Sequence, residues 1–193
     1  MLERSPSRWS RHLVLGLLAW TLTASAATDI VETKQATLAT TTAHVLEVLG
    51  SSELCHEGCK YFAPQTVREV KVQPFAEENS YYKWTHVSGI KTVKFFTHVQ
   101  VTPGAVTRVD FRTLTKDADA PRIHELEAKT GLEHAPAFDL STATWTLTPK
   151  GDQVEVKANV MTRLGGLMSM FGGPARKAMK ESLEASFANF TRK

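Results

Sequence analysis

Cys55 and Cys59, in Cys55-His56-Glu57-Gly58-Cys59, are the only cysteines of this chain and its most reactive pair of groups. Two kinds of chemistry fit them. A disulfide is the default for a lone pair in an exported protein. Regular helix sets Cβ atoms at i and i+4 about 5–6 Å apart, whereas a disulfide wants about 3.5–4.5 Å. Bonding therefore requires a non-helical turn, which Gly58 permits. The closed loop is small, so constraining it contributes roughly 2 kcal/mol. The alternative is free thiols, or a metal held by Cys55, His56 and Cys59. Structural zinc takes four ligands at characteristic spacings, and no second pair follows. The haem-attachment order Cys-x-x-Cys-His is also absent.

Past residue 26 the histidines are His44, His56, His86, His98, His124 and His134. None has a metal-ligand spacing such as His-Glu-x-x-His. There is no Gly-x-Ser-x-Gly elbow, phosphate loop or dinucleotide fingerprint, so no cofactor is implied. Gly165-Gly166 and Gly172-Gly173 read as bends. Tyr82, Trp84 and His86 share one face of a strand, and Phe96 and His98 share one face of the next. They fit either a pocket wall or the outer surface of a sheet. Arg108 and Arg112 could meet an anionic head group or simply stay solvated. Leu167, Met168, Met170 and Phe171 read as an adaptable apolar surface or as core at the root of a helix.

The elements that position these groups follow from periodicity. Ile30–Ala39 reads as a first strand. Thr40-Thr41-Thr42 offers an N-cap to a short helix that Gly50 stops. Ser51–Pro64 reads as short helix or turn. Val67–Phe75, Ser80–Val87, Lys91–Val101 and Ala105–Leu114 alternate with period two. The short connections Ala76-Glu77-Glu78-Asn79, Ser88-Gly89-Ile90 and Thr102-Pro103-Gly104 make these strands antiparallel neighbours. A short helix follows, bracketed by Asp119, Pro121 and Gly131. Two more strands carry Ala143, Trp145, Leu147 and then Val154, Val156, Ala158, Val160. Pro174 opens a last helix on which Ala175, Met179, Leu183, Phe187 and Phe190 form one apolar stripe. A meander of this length has a face that needs covering, and that helix is the natural cover. The fold class is thus α+β, a curved antiparallel sheet of about seven strands around a long C-terminal helix. A helix about 10 Å wide cannot fill such a sheet, so a cavity between the two is expected.

Residues 1–26 read as a signal peptide. Arg4, Arg8 and Arg11 form a basic start, Leu13–Leu22 is apolar, and Ala24-Ser25-Ala26 supplies the small cleavage pattern. An uncleaved anchor is the alternative, although ten apolar residues of helix span only about half a bilayer core. Export to a periplasm or to the medium is expected, with residues 27–193 as one soluble domain. The formal charge of the whole chain is +3. Removing Arg4, Arg8, Arg11 and Glu3 leaves it close to neutral, which excludes an electrostatic case for nucleic acid.

From Ser141 to Phe190, a Trp145-bearing strand and the hairpin Pro149-Lys150-Gly151-Asp152 precede a valine-alternating strand. A glycine-rich bend then enters the last helix. This order resembles the START-like helix-grip superfamily, also called SRPBCC or polyketide cyclase-like, over roughly residues 29–193. Segment 115–139 is longer than the connection usual there. The resemblance implies a deep pocket for a hydrophobic ligand such as a lipid, sterol or polyketide. It implies no catalysis, because the superfamily shares no universal catalytic residues. The expected cavity residues are Phe95, Val99, Val109, Phe111, Trp145, Val156, Met170, Met179, Leu183 and Phe187. The expected function is binding or carriage of a hydrophobic or amphipathic small molecule, with transient membrane contact. The alternatives are a cyclase or hydrolase using a pocket histidine or acid, and an interaction module with a filled core.

Overall fold

Alternation of apolar residues produces the sheet that the sequence requires. The computed structural model describes residues 27–55, 59–64, 66–74, 78–88 and 92–192. The expected signal peptide, the centre of the cysteine loop and parts of the first two hairpins lie outside the described residues. Seven strands make one antiparallel sheet: β1 (Thr28–Leu38), β4 (Val67–Pro74), β5 (Ser80–Val87), β6 (Val93–Thr102), β7 (Thr107–Thr113), β8 (Leu140–Lys150) and β9 (Gln153–Leu164). Their order is β1-β9-β8-β7-β6-β5-β4. Strands β4 to β9 are therefore a meander, and β1 closes against the last of them.

Three helices and a small ribbon complete the fold: α1 (Thr42–Gly50), α2 (Lys116–Thr130), α3 (Gly172–Asn189), and the strands β2 (Leu54–Cys55) and β3 (Tyr61–Phe62). Thr41 is the N-cap of α1, its hydroxyl accepting the His44 N–H at 3.1 Å. The segment expected as short helix or turn at 51–64 holds instead the parallel pair β2 and β3. Its extended form is held from outside: Tyr61 is buried against α1, and the Phe62 backbone is bonded to Asn189 of α3.

Helix α2 begins five residues before Pro121 rather than at it. The Asp119 carboxylate accepts the Thr115 N–H at 2.8 Å and holds both amino groups of the Arg112 guanidinium at 2.7 and 2.8 Å. Those bonds fix the first turn to β7, and the turn survives the missing proline N–H. The helix ends at Gly131, whose φ of 68° is the left-handed conformation open to glycine. Likewise α3 starts at Gly172, two residues before Pro174.

The two faces of the sheet are covered differently. The concave face receives α3. Helix α2 packs on the convex face, where Tyr82, Trp84, Phe96, Leu114, Ile123 and Leu126 form a separate buried cluster. Tyr82 and Trp84 are thus neither pocket wall nor bare surface. The long segment 115–139 exists to cover them.

A seven-stranded sheet is about 30 Å across at roughly 4.8 Å per strand, three times the width of one helix. Helix α3 sits against β1 and β9. Lys34 of β1 pairs with Glu184, and Glu32 pairs with Arg176 at 3.2 Å. It stands away from β4–β7, and the side chains on its stripe decide what happens to the remaining space. Phe187 and Phe190, at the C-terminal end, fill it together with Trp145, Val99, Val109, Val156 and α1. Ala175, Ala178 and Met179, at the N-terminal end, leave it open.

Candidate ligand cavity

Two adjoining cavities lie between the sheet and α3. The wider, about 380 Å³, is bounded by Val87, Val93, Phe138, Val160, Met168 and Met179. The narrower, about 300 Å³, reaches toward α1 and is bounded by Leu49, Lys83, Thr85, Thr97, Phe111 and Thr113. Phe95, Trp145, Ser182 and Ser186 belong to both. Both volumes fall in the range of pockets for small organic ligands.

Of the ten expected cavity residues, five line these spaces: Phe95, Phe111, Trp145, Met179 and Leu183. Phe95 leans on Phe138, their ring centres 5.1 Å apart. Trp145 meets Phe187 at 5.8 Å and Phe190 edge-on at 5.5 Å. Four expected residues take other places. Val99, Val109 and Val156 have no exposure, and Phe187 is buried beside them. They sit where the large end of the α3 stripe meets the sheet, so they are packed core rather than wall. Met170 is a further correction. It lies on the 3-10 turn Gly166–Phe171 with 77% of its surface exposed, and its neighbour Leu167 is exposed by 81%. The turn directs only Met168 of this cluster into the wider cavity.

The cavity also has a polar end that the sequence reading missed. Lys83 stands on the concave face of β5, opposite Thr97 of β6, which is in turn opposite Thr113 of β7. Its ammonium donates to the Leu49 carbonyl of α1 at 2.9 Å. Burial alone lowers its pKa from 10.5 to about 8. Burial also raises the pKa of Tyr81, its neighbour on the same face. A signal for Lys83 was present: β5 alternates, and Tyr82 and Trp84 occupy the opposite parity. Only pairing with the unambiguous β6 pattern reveals which parity is inward.

Arg108 and Arg112 are on the convex face. Arg108 grips Asp110 at 2.6 and 2.8 Å and Arg112 grips Asp119, so neither reaches the cavity. His44, His86, His98, His124 and His134 do not line the cavity either. His134 is buried beneath α2, accepting the Phe96 N–H at Nδ1, and burial lowers its pKa. Lys83 is the one titratable group among the described residues that line the two spaces. Among the described residues no three His, Cys, Asp or Glu side chains converge as metal ligands, and none of the cysteines is free. No helix among them is long and apolar enough to cross a membrane.

No family model matches the chain, and no curated protein resembles it in sequence. Solved structures resemble it in fold. A STAR-related lipid transfer protein from Xanthomonas axonopodis superposes with a TM-score of 0.59 at 14% identity, over 86% of this chain and 94% of that one. The lipid transfer and protein localization domain of human StarD13 gives 0.56 at 8% identity, over 84% and 78%. The Zhui aromatase/cyclase from a Streptomyces species gives 0.51 at 14% identity, over 84% and 88%.

Proposed function

We propose that this chain, which has the START-like helix-grip fold of those structures, is an exported binder or carrier of a hydrophobic or amphipathic small molecule such as a lipid. The cavity between sheet and α3 carries the reading. Its wider part is walled mainly by apolar side chains, with scattered hydroxyls and no charged group, and the small residues Ala175 and Ala178 of α3 keep it open. A filled-core interaction module has no use for that space. Two solved structures of this fold are described as lipid transfer proteins and one as an aromatase/cyclase. Binding without turnover is preferred over the cyclase reading because general acid–base chemistry needs positioned proton donors and acceptors. The cavity offers one lysine and hydroxyl groups.

Export rests on the basic, apolar and small-residue pattern of residues 1–26. A Cys55–Cys59 disulfide belongs to the same reading, supported by the absence of a free cysteine among the described residues. Transient membrane contact is supported by Leu167 and Met170, exposed on the turn that sends Met168 into the cavity.

Mass spectrometry of an organic extract of the purified protein tests the function. A co-purifying apolar molecule, displaced in Met179→Trp and Leu183→Trp, is expected. Ligand affinity in these variants should fall more than stability, which overpacking lowers by about 1–3 kcal/mol. Strong destabilisation with no ligand to lose would return the filled-core reading.

A further inference from the structure

Lys83 separates the two ends of the cavity chemically. An ammonium has three donors, and one is used by the carbonyl end of α1 through Leu49. Such a helix end carries partial negative charge, which makes the lysine tolerable there without neutralising it. No carboxylate pairs with it among the described residues, and no Asp or Glu side chain bounds either space. Other basic groups of the sheet are treated differently: Lys34, Lys94, Arg108, Arg112 and Arg163 each have an acidic partner, and Arg68 and Lys157 are exposed to solvent. A buried, unpaired charge is costly, so its place at a cavity wall is informative. Around it the narrower space carries the hydroxyls of Thr85, Thr97 and Thr113, with Thr97 and Thr113 Oγ1 3.5 Å apart. The wider space is bounded by no charged side chain.

The geometry points to an amphipathic monoacid as the ligand, its carboxylate on the Lys83 ammonium in the narrower space and its hydrocarbon body in the wider one beside Met179. This rests on the binding function proposed above. A phosphate monoester carries up to two charges and is matched by a guanidinium fork or several cations. One lysine flanked by hydroxyls suits a single negative charge. At neutral pH, below about 8, the ammonium is charged and ready for it.

The probes are dodecanoic acid and dodecan-1-ol, titrated calorimetrically at neutral pH into the delipidated protein. The acid is expected to bind about tenfold or more tightly than the alcohol, as a charge-assisted hydrogen bond requires. Lys83→Met should bring the acid down to the affinity of the alcohol and leave the alcohol unchanged. Lys94→Met, whose lysine pairs with Glu133 outside the cavity, should keep the preference. Thr97→Val gives a second measurement, lowering the acid alone by a smaller factor. Equal binding of acid and alcohol by the unmodified protein would overturn the assignment while leaving the cavity function standing. A preference that persists in Lys83→Met would do the same. Failure of both probes to bind would overturn the cavity function itself.

Discussion

Asn189 clamps the backbone of Phe62 from both sides, its Oδ1 accepting the Phe62 N–H at 3.0 Å and its Nδ2 donating to the Phe62 carbonyl at 2.7 Å. Asn189 is 1% exposed. The bonds tie the end of α3 to β3, 127 residues apart, where both residues line the narrower cavity. Asn189→Ala leaves two part-buried backbone groups without this partner and should cost about 1–3 kcal/mol. Urea unfolding monitors this, and a loss below about 0.5 kcal/mol would mean that water replaces the amide.

Trp145 packs against Phe187 and Phe190 and also bounds both cavities. Trp145→Ala should lower stability by about 3–5 kcal/mol. The same substitution removes a wall shared by the two spaces. Ligand affinity measured on the folded fraction should therefore fall as well. An unchanged melting curve would contradict the burial of this ring.

His134 gives the fold an acid-sensitive point under α2. As pH falls through about 6.5, the unfolded chain protonates this imidazole first, because burial holds the folded value lower. Its stabilisation is complete above that pH and is lost as pH drops toward the folded value. Protonation also removes the acceptor for the Phe96 N–H. His134→Asn retains an acceptor and does not titrate. The unmodified protein should lose stability more steeply than this variant between pH 7 and 5, by denaturant unfolding at each pH. Parallel profiles would show that His134 is silent.

Lys83 acts at the other end of the scale. Folded, it releases its proton near pH 8; unfolded, near 10.5. Between those values the unfolded chain holds more protons, so this group's contribution to stability rises with pH. Lys83→Met removes the cost of burying the ammonium. The variant should exceed the unmodified protein in stability at pH 7, and the difference should shrink toward pH 10. A difference independent of pH would mean that the ammonium is solvated.

The cysteine pair is checked by thiol labelling of the denatured, unreduced protein after export. No labelled thiol is expected. Two labelled cysteines would remove the disulfide and leave the loop open to other chemistry.

The sequence by itself determined the order of the seven sheet strands and the three helices, though not the β2–β3 pair, because period-two alternation and short turns act locally. β5 runs over Ser80–Val87 as the alternation requires, and α1 ends at Gly50. The apolar stripe of α3, Ala175 to Phe190, was legible for the same reason, but not which of its residues face a cavity, since Phe187 was expected there and is core. The wider space runs along Ala175, Ala178, Met179 and Leu183, the narrower one reaches Ser186 and Asn189, and Phe187 fills the core. Local pattern could not reveal which residues meet across the sheet. Lys83, Thr97 and Thr113 come together only through strand register, and each alone reads as an ordinary polar residue. Nor could it reveal that Arg108 and Arg112 spend their charge on Asp110 and Asp119, or that α2 turns Tyr82 and Trp84 into a second core. Parity along a strand is a property of neighbouring residues, whereas inward and outward are defined only once α3 has taken one face and α2 the other.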